Sequence, residues 1–124
     1  MIEDLDIEEI VVRLGDNDIL LKLEIYQMII RKWAQHLTTQ EIAILMQIVD
    51  QTVGWGKLSE RIYSDKLLNG GNLYGGQSGI SRSYLFKVLK SLESKGMISR
   101  NVRRRASERA TFTVNVKWTS PTDG

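Results

Sequence analysis

The sequence predicts a mainly α-helical domain completed by a small β-hairpin, an α+β class, and three observations carry that prediction. Apolar residues recur at helical spacing through residues 19–35, 42–53 and 85–92, and residues that start or stop helices bracket these stretches. From Ala110 the pattern becomes strict alternation: Ala110, Phe112, Val114, Val116 and Trp118 against Thr111, Thr113, Asn115 and Lys117, the period of a half-buried strand. A length of 124 residues, 42% hydrophobic and 26% charged, suits one core with short ends. The expected boundaries are an acidic N-terminal segment over 1–18, the domain over 19–118 and a flexible tail over 119–124.

Residues 4–14 suit a short helix ending at Gly15, although Ile10, Val11 and Val12 are β-branched enough to suit a strand. A helix from Ile19 to about Gln35 follows, with Asp16 or Asp18 as N-cap and Arg31 and Lys32 in its last turns. It is apolar on two faces, Ile19, Leu23, Tyr26, Ile30 and Trp33 on one and Leu21, Ile25 and Met28 on the other. Such a helix is covered on both, either by the N-terminal segment or by another subunit. In the second case Leu21, Ile25 and Met28 form the interface of a homodimer.

Thr38-Thr39-Gln40-Glu41 has capping-box spacing, so a helix begins there. Its stripe is Ile42, Leu45, Met46, Ile48, Val49 and Val53, it ends in Gly54-Trp55-Gly56, and Trp55 is expected to plug the edge of the core. Arg61-Ile62-Tyr63 reads as a very short strand and Ser64 as the N-cap of a brief helix through Leu68. Residues 69–79 hold five of the ten glycines and read as a loop. Gly71 and Gly76 have phosphate-loop spacing, but Gln77 stands where that motif needs lysine and no buried strand precedes it. Ser81 then caps a helix over 82–95 that stops at Gly96, with Leu85, Val88, Leu89 and Leu92 inward and Ser83, Lys87, Lys90 and Ser94 outward. Met97 to Arg103 pairs with the alternating strand, and the tip of this hairpin carries Arg103, Arg104, Arg105 and Arg109.

Charge is unevenly spread. Residues 1–24 hold eight acids against Arg13 and Lys22, whereas residues 81–118 hold ten cations against Glu93 and Glu108. The basic part points to a polyanion partner. Without cysteine and with His36 alone, the chain has no disulfide, no thiol nucleophile and no Cys- or multi-His metal site, and no cofactor is expected. Glu60 with Asp65, or His36, forms no visible acid–base pair, so the expectation is a non-enzyme. The longest apolar run, Ile42 to Met46, is far short of a membrane span, and the acidic start is unlike a signal peptide. A cytoplasmic protein is expected.

This element order is that of a winged helix-turn-helix. The helix at 82–95 is then the recognition helix, offering Ser81, Arg82, Ser83, Tyr84, Lys87 and Lys90 to base edges and phosphates in the major groove. The hairpin tip over 103–109 is the wing, its arginines on the DNA backbone or in the minor groove.

Several segments also resemble the N-terminal origin-binding domain of the phage replication protein O family. They are Thr38 to Glu41 through Val53-Gly54-Trp55-Gly56-Lys57, Arg61-Ile62-Tyr63-Ser64, Gly79-Ile80-Ser81-Arg82-Ser83, and Leu89 through Gly96 to Met97-Ile98. The resemblance covers about residues 38–100. It implies a winged helix that binds repeated origin sequences, joined in that family to a C-terminal part that recruits helicase machinery, for which this sequence has no room. The expected function is therefore sequence-specific binding of double-stranded DNA as a homodimer, by a transcriptional regulator or replication initiator of a phage, plasmid or other mobile element. Such a role admits a replication or transcription protein as a further partner. The alternative is a winged-helix protein-interaction module that binds no specific DNA.

Overall fold

The computed structural model describes residues 2–63, 66–67, 81–102 and 109–121. Among them are four helices of more than two turns: α1 (Ile7–Gly15), α2 (Ile19–Met28), α3 (Thr39–Thr52) and α4 (Arg82–Lys95). Three strands, β1 (Ser59–Tyr63), β2 (Ile98–Val102) and β3 (Arg109–Val114), form one antiparallel sheet in the order β1-β3-β2. The fold is thus α+β, mainly helical with a small sheet. No helix among the described residues is long and apolar enough to cross a membrane.

The N-terminal segment adopts the helical alternative. Asp6 caps α1 by accepting from the Glu9 amide, and Ile10 and Leu14 are fully buried in the core shared with α2 and α3. The acidic residues of 1–18 therefore decorate a packed element. At the turn into α2, Asn17 adopts φ 61°, a left-handed conformation that asparagine tolerates, and Asp18 is the N-cap.

The burial of α2 differs from the two-faced expectation. Leu21, Ile25, Ile29 and Trp33 are buried, while Ile19, Leu20, Leu23 and Ile30 are exposed. Leu21 and Ile25, expected at a dimer interface, are core residues of the chain itself, and Met28 is half-buried against that core. The cause is a change of helical pitch. Four-residue steps overshoot an α-helical turn by about 40° each, so positions 21, 25, 29 and 33 would wind off the core in a regular helix. After Met28 the helix widens into a π turn over Ile29–Trp33, where the Ala34 amide reaches back five residues to the Ile29 carbonyl, and this brings Trp33 under Ile29. A short 3-10 turn over Ala34–His36 ends the segment.

Both halves of the capping box form at α3: the Glu41 amide donates to Thr38 Oγ1 at 3.2 Å, and the Thr38 amide donates to Glu41 Oε1 at 2.8 Å. Ile44, Leu45, Ile48, Val49 and Val53 are the buried stripe, so Ile44 takes the place expected of Ile42. Gly56 ends the following turn at φ 77°, and Trp55, expected to plug the core, is 73% exposed. The turn is positioned by its backbone. A β-carbon on Gly56 would lie 2.5 Å from the Leu14 carbonyl oxygen, so only glycine lets the turn sit on the end of α1.

Lys66 and Leu67 are helical and Leu67 is buried, while the rest of the brief helix expected at 64–68 and the glycine-rich loop lie outside the described residues. In the sheet, Ile62, Phe112, Ala110, Val114 and Ile98 face the core. The strand expected to run from 110 to 118 stops at Val114. Asn115 then bonds back to the Met97 carbonyl and Val116 to that of Val114, a turn that still buries Val116 and leaves Trp118 packed on the core. Ser120 is buried as well, so the expected tail does not begin at 119.

Candidate nucleic-acid interface

Helix α4 has the polarity its sequence calls for. Ser81 Oγ accepts from the Tyr84 amide at 3.1 Å, and Gly96 closes the helix at φ 84°. Leu85, Val88, Leu89 and Leu92 are buried, and α4 packs on α3. Ser81, Arg82, Ser83, Tyr84, Lys87 and Lys90 are all exposed, so the six residues expected to read or grip a ligand share the open part of one well-anchored helix. Three cations, three hydroxyls and an N-terminal helix end can donate to phosphate oxygens and to acceptor atoms of bases. Among the described residues no group of three His, Cys, Asp or Glu side chains could hold a metal ion.

Among the described residues of the basic third, Lys95, Arg100 and Lys117 each bond to groups within the molecule. Lys95 donates to both oxygens of Glu41 and to the His36 carbonyl, and Arg100 pairs with Glu93 at 2.7 Å while its guanidinium lies 5.6 Å from the centre of the Phe86 ring. Lys117 donates to the carbonyls of Ile2 and Glu3. A count of charge in the sequence cannot distinguish these from the cations on the exposed face of α4. At the hairpin, Arg109 opens β3 with its backbone opposite Tyr63, and Arg103, Arg104 and Arg105 lie outside the described residues.

The sheet adds a polar surface beyond the residues expected from sequence. Its register sets Ser59, Thr113 and Ser99 in one row and Arg61, Thr111 and Asn101 in the next, on the side away from the buried residues. Ser59 Oγ and Thr113 Oγ1 are 2.7 Å apart, and Arg61 and Tyr63 are exposed. The period-two alternation holds this signal, since residues flanking a buried Ile62 must face outward. Nearby Glu60 is a paired carboxylate: hydrogen bonds from Lys57 and from the Arg61 amide hold it below its usual range, the setting of a surface ion pair rather than a proton donor. Asp65 lies outside the described residues.

Compared with protein-family models, curated proteins and solved structures, the chain matches none.

Proposed function

We propose that this chain is a winged helix-turn-helix protein that binds double-stranded DNA in a sequence-specific manner, as a regulator or replication initiator of a mobile element. The observation that carries the reading is α4: an amphipathic helix, capped by Ser81, fixed to α3 by its apolar side and exposed along Arg82, Ser83, Tyr84, Lys87 and Lys90. The order of elements supports it. A strand precedes α4, a hairpin follows, and β1 docks on the hairpin's second strand, which is the arrangement a winged helix needs. In this reading the helix meets base edges, Arg61 and the sheet hydroxyls lie along phosphates, and the arginines of 103–109 act as the wing. Selection of bound sequences from a random duplex pool tests it. Enrichment of one motif is expected, and a pool that stays random would replace this reading with an architectural or protein-binding one.

A second reading, a protein-binding surface, rests on a different face. Ile19 is 69%, Leu20 78%, Ile30 62% and Val12 62% exposed, and such side chains on α1, on α2 and on the π turn that follows α2 favour a protein partner. A second copy of the chain is the partner that a twofold DNA site would pair with.

A further inference from the structure

We propose that the cleft between the N-terminal turn and the segment after β3 is a binding site for a small planar aromatic carboxylate. The cleft has a volume of about 480 Å³, within the range of roughly 300–1,000 Å³ in which small-molecule sites fall. Its walls are mostly apolar, Ile2, Met28, Trp33, Val116 and Trp118, with Thr119 and Ser120 adding polar groups. The indoles of Trp33 and Trp118 meet edge to face, with centroids 5.4 Å apart and planes at 71°. Trp33 is buried behind Trp118, so a flat ring in this corner would stack on the accessible part of the Trp118 indole with the half-buried Met28 thioether beside it, arrangements that favour an aromatic ring over an aliphatic chain of similar size.

The rim selects for negative charge. Lys32 and Lys117 stand over the cleft with one acid, Glu3, and a smaller recess continues it past Arg31. Glu24, also in that recess, is engaged, since its Oε1 accepts the Ile2 amide at 2.6 Å. Lys117 directs two N–H bonds at the carbonyls of Ile2 and Glu3, which leaves its third for a ligand. Lys32 is held by Glu3 only at 3.7 Å, with both side chains about two-thirds exposed. A pair this open contributes little, so a carboxylate can displace it at small cost. One wall also reports on α4, because Trp118 Nε1 donates to the Lys95 carbonyl at 2.6 Å.

The proposal is independent of DNA binding, and its test contains no DNA. The full chain carrying Trp55→Phe keeps Trp33 and Trp118 as its only indoles. Their N–H resonances are followed while 1-naphthoate or 1-naphthalenemethanol is added. Saturable shifts of both indoles are expected with the carboxylate, with an affinity at least tenfold above that of the alcohol. Lys32→Gln, on the exposed rim, should weaken naphthoate threefold or more, and Lys57→Gln, away from the cleft, should leave it unchanged. No saturation at millimolar naphthoate, equal affinity for the alcohol, or indifference to Lys32→Gln would each overturn the proposal.

Discussion

Lys95 closes α4 with its ammonium 3.0 and 2.9 Å from the two carboxylate oxygens of Glu41, the residue that also completes the capping box of α3. Ser91 donates to the same carboxylate at 2.5 Å. Glu41 is buried, so its charge has little water and depends on these partners. Burial alone pushes its pKa up, but the bonds from Ser91, the Thr38 amide and Lys95 outweigh that and hold it at about 2, down from 4.5. One carboxylate thereby caps one helix and locks it to the C-terminal half of the next.

The pH dependence follows from the sign of that shift. A carboxyl whose folded pKa is depressed stabilises the fold fully above its unfolded value and loses that contribution as pH falls through the folded one. Stability should therefore drop between about pH 4.5 and 2. Glu41→Gln should cost roughly 2–3 kcal/mol at neutral pH, because it leaves Lys95 and Ser91 facing a neutral amide. Urea midpoints across this range check both points: the gap between wild type and variant should narrow toward pH 2, and a constant gap would contradict the linkage.

Gly56 is the second place where a single atom decides. A β-carbon there meets the Leu14 carbonyl at 2.5 Å in a left-handed conformation, whereas at Gly54 it meets Asp50 Oδ1 and Tyr26 Oη at 3.3 Å, side-chain atoms that can shift. Gly56→Ala should cost about 2–4 kcal/mol, the sum of the left-handed penalty and displacement of the α1 end. Gly54→Ala should cost less. Thermal unfolding of the two variants side by side measures the difference, and equal losses would remove the role given to the contact with α1.

Much of the fold is legible in the sequence because local rules agree with the tertiary outcome. Thr38 with Glu41, Ser81 with Gly96, and Leu85, Val88, Leu89 and Leu92 have one physical solution each, and the fold adopts it. The helix starting at Ile19 is harder to read. Its sequence is apolar all round, and only the spacing of Leu21, Ile25, Ile29 and Trp33 hints that a π turn chooses the buried face. Trp55 departs from expectation because a large indole suggests burial, while here the flanking glycines let the backbone make the contact. In the candidate site, the exposed face of α4 is readable from periodicity. The diversion of Lys95, Arg100 and Lys117 into internal pairs is not, since their partners lie far away in sequence or depend on the packing of α4 against β2.

The exposed faces of α1 and α2 separate two kinds of variant. Leu21→Glu puts a charge into the core and should unfold the chain, whereas Leu20→Glu with Ile30→Glu alters only exposed positions and should leave stability within about 1 kcal/mol. If self-association uses this face, sedimentation should show a wild-type dimer and a double-variant monomer, both folded by circular dichroism. A monomeric wild type at tens of micromolar, or a dimer that survives both charges, would discard the self-association reading.

On the proposed reading, binding to DNA should depend on the exposed cations Arg82, Lys87 and Lys90 of α4 more than on Lys95, Arg100 and Lys117. Arg82→Ala should weaken a selected site by about 1–3 kcal/mol and relax the preference at one base pair, because an arginine near the start of a recognition helix donates to base edges. Lys87→Ala and Lys90→Ala lie further along the exposed face and fit phosphate contacts. Each should weaken selected and scrambled duplexes alike and lower the slope of log affinity against log salt by roughly 0.9. Arg104→Ala with Arg105→Ala, in the arginine-rich stretch of sequence between β2 and β3, should do the same, by about one for each phosphate that is no longer neutralised. Arg100→Ala removes a charge already neutralised by Glu93, so it should leave the salt slope unchanged and act only through stability. Fluorescence anisotropy on both duplexes at several salt concentrations distinguishes these outcomes. If Arg100→Ala lowered the slope while Lys87→Ala did not, the grip on the backbone would lie on the side of β2, and the proposed role of α4 as a recognition helix would fall.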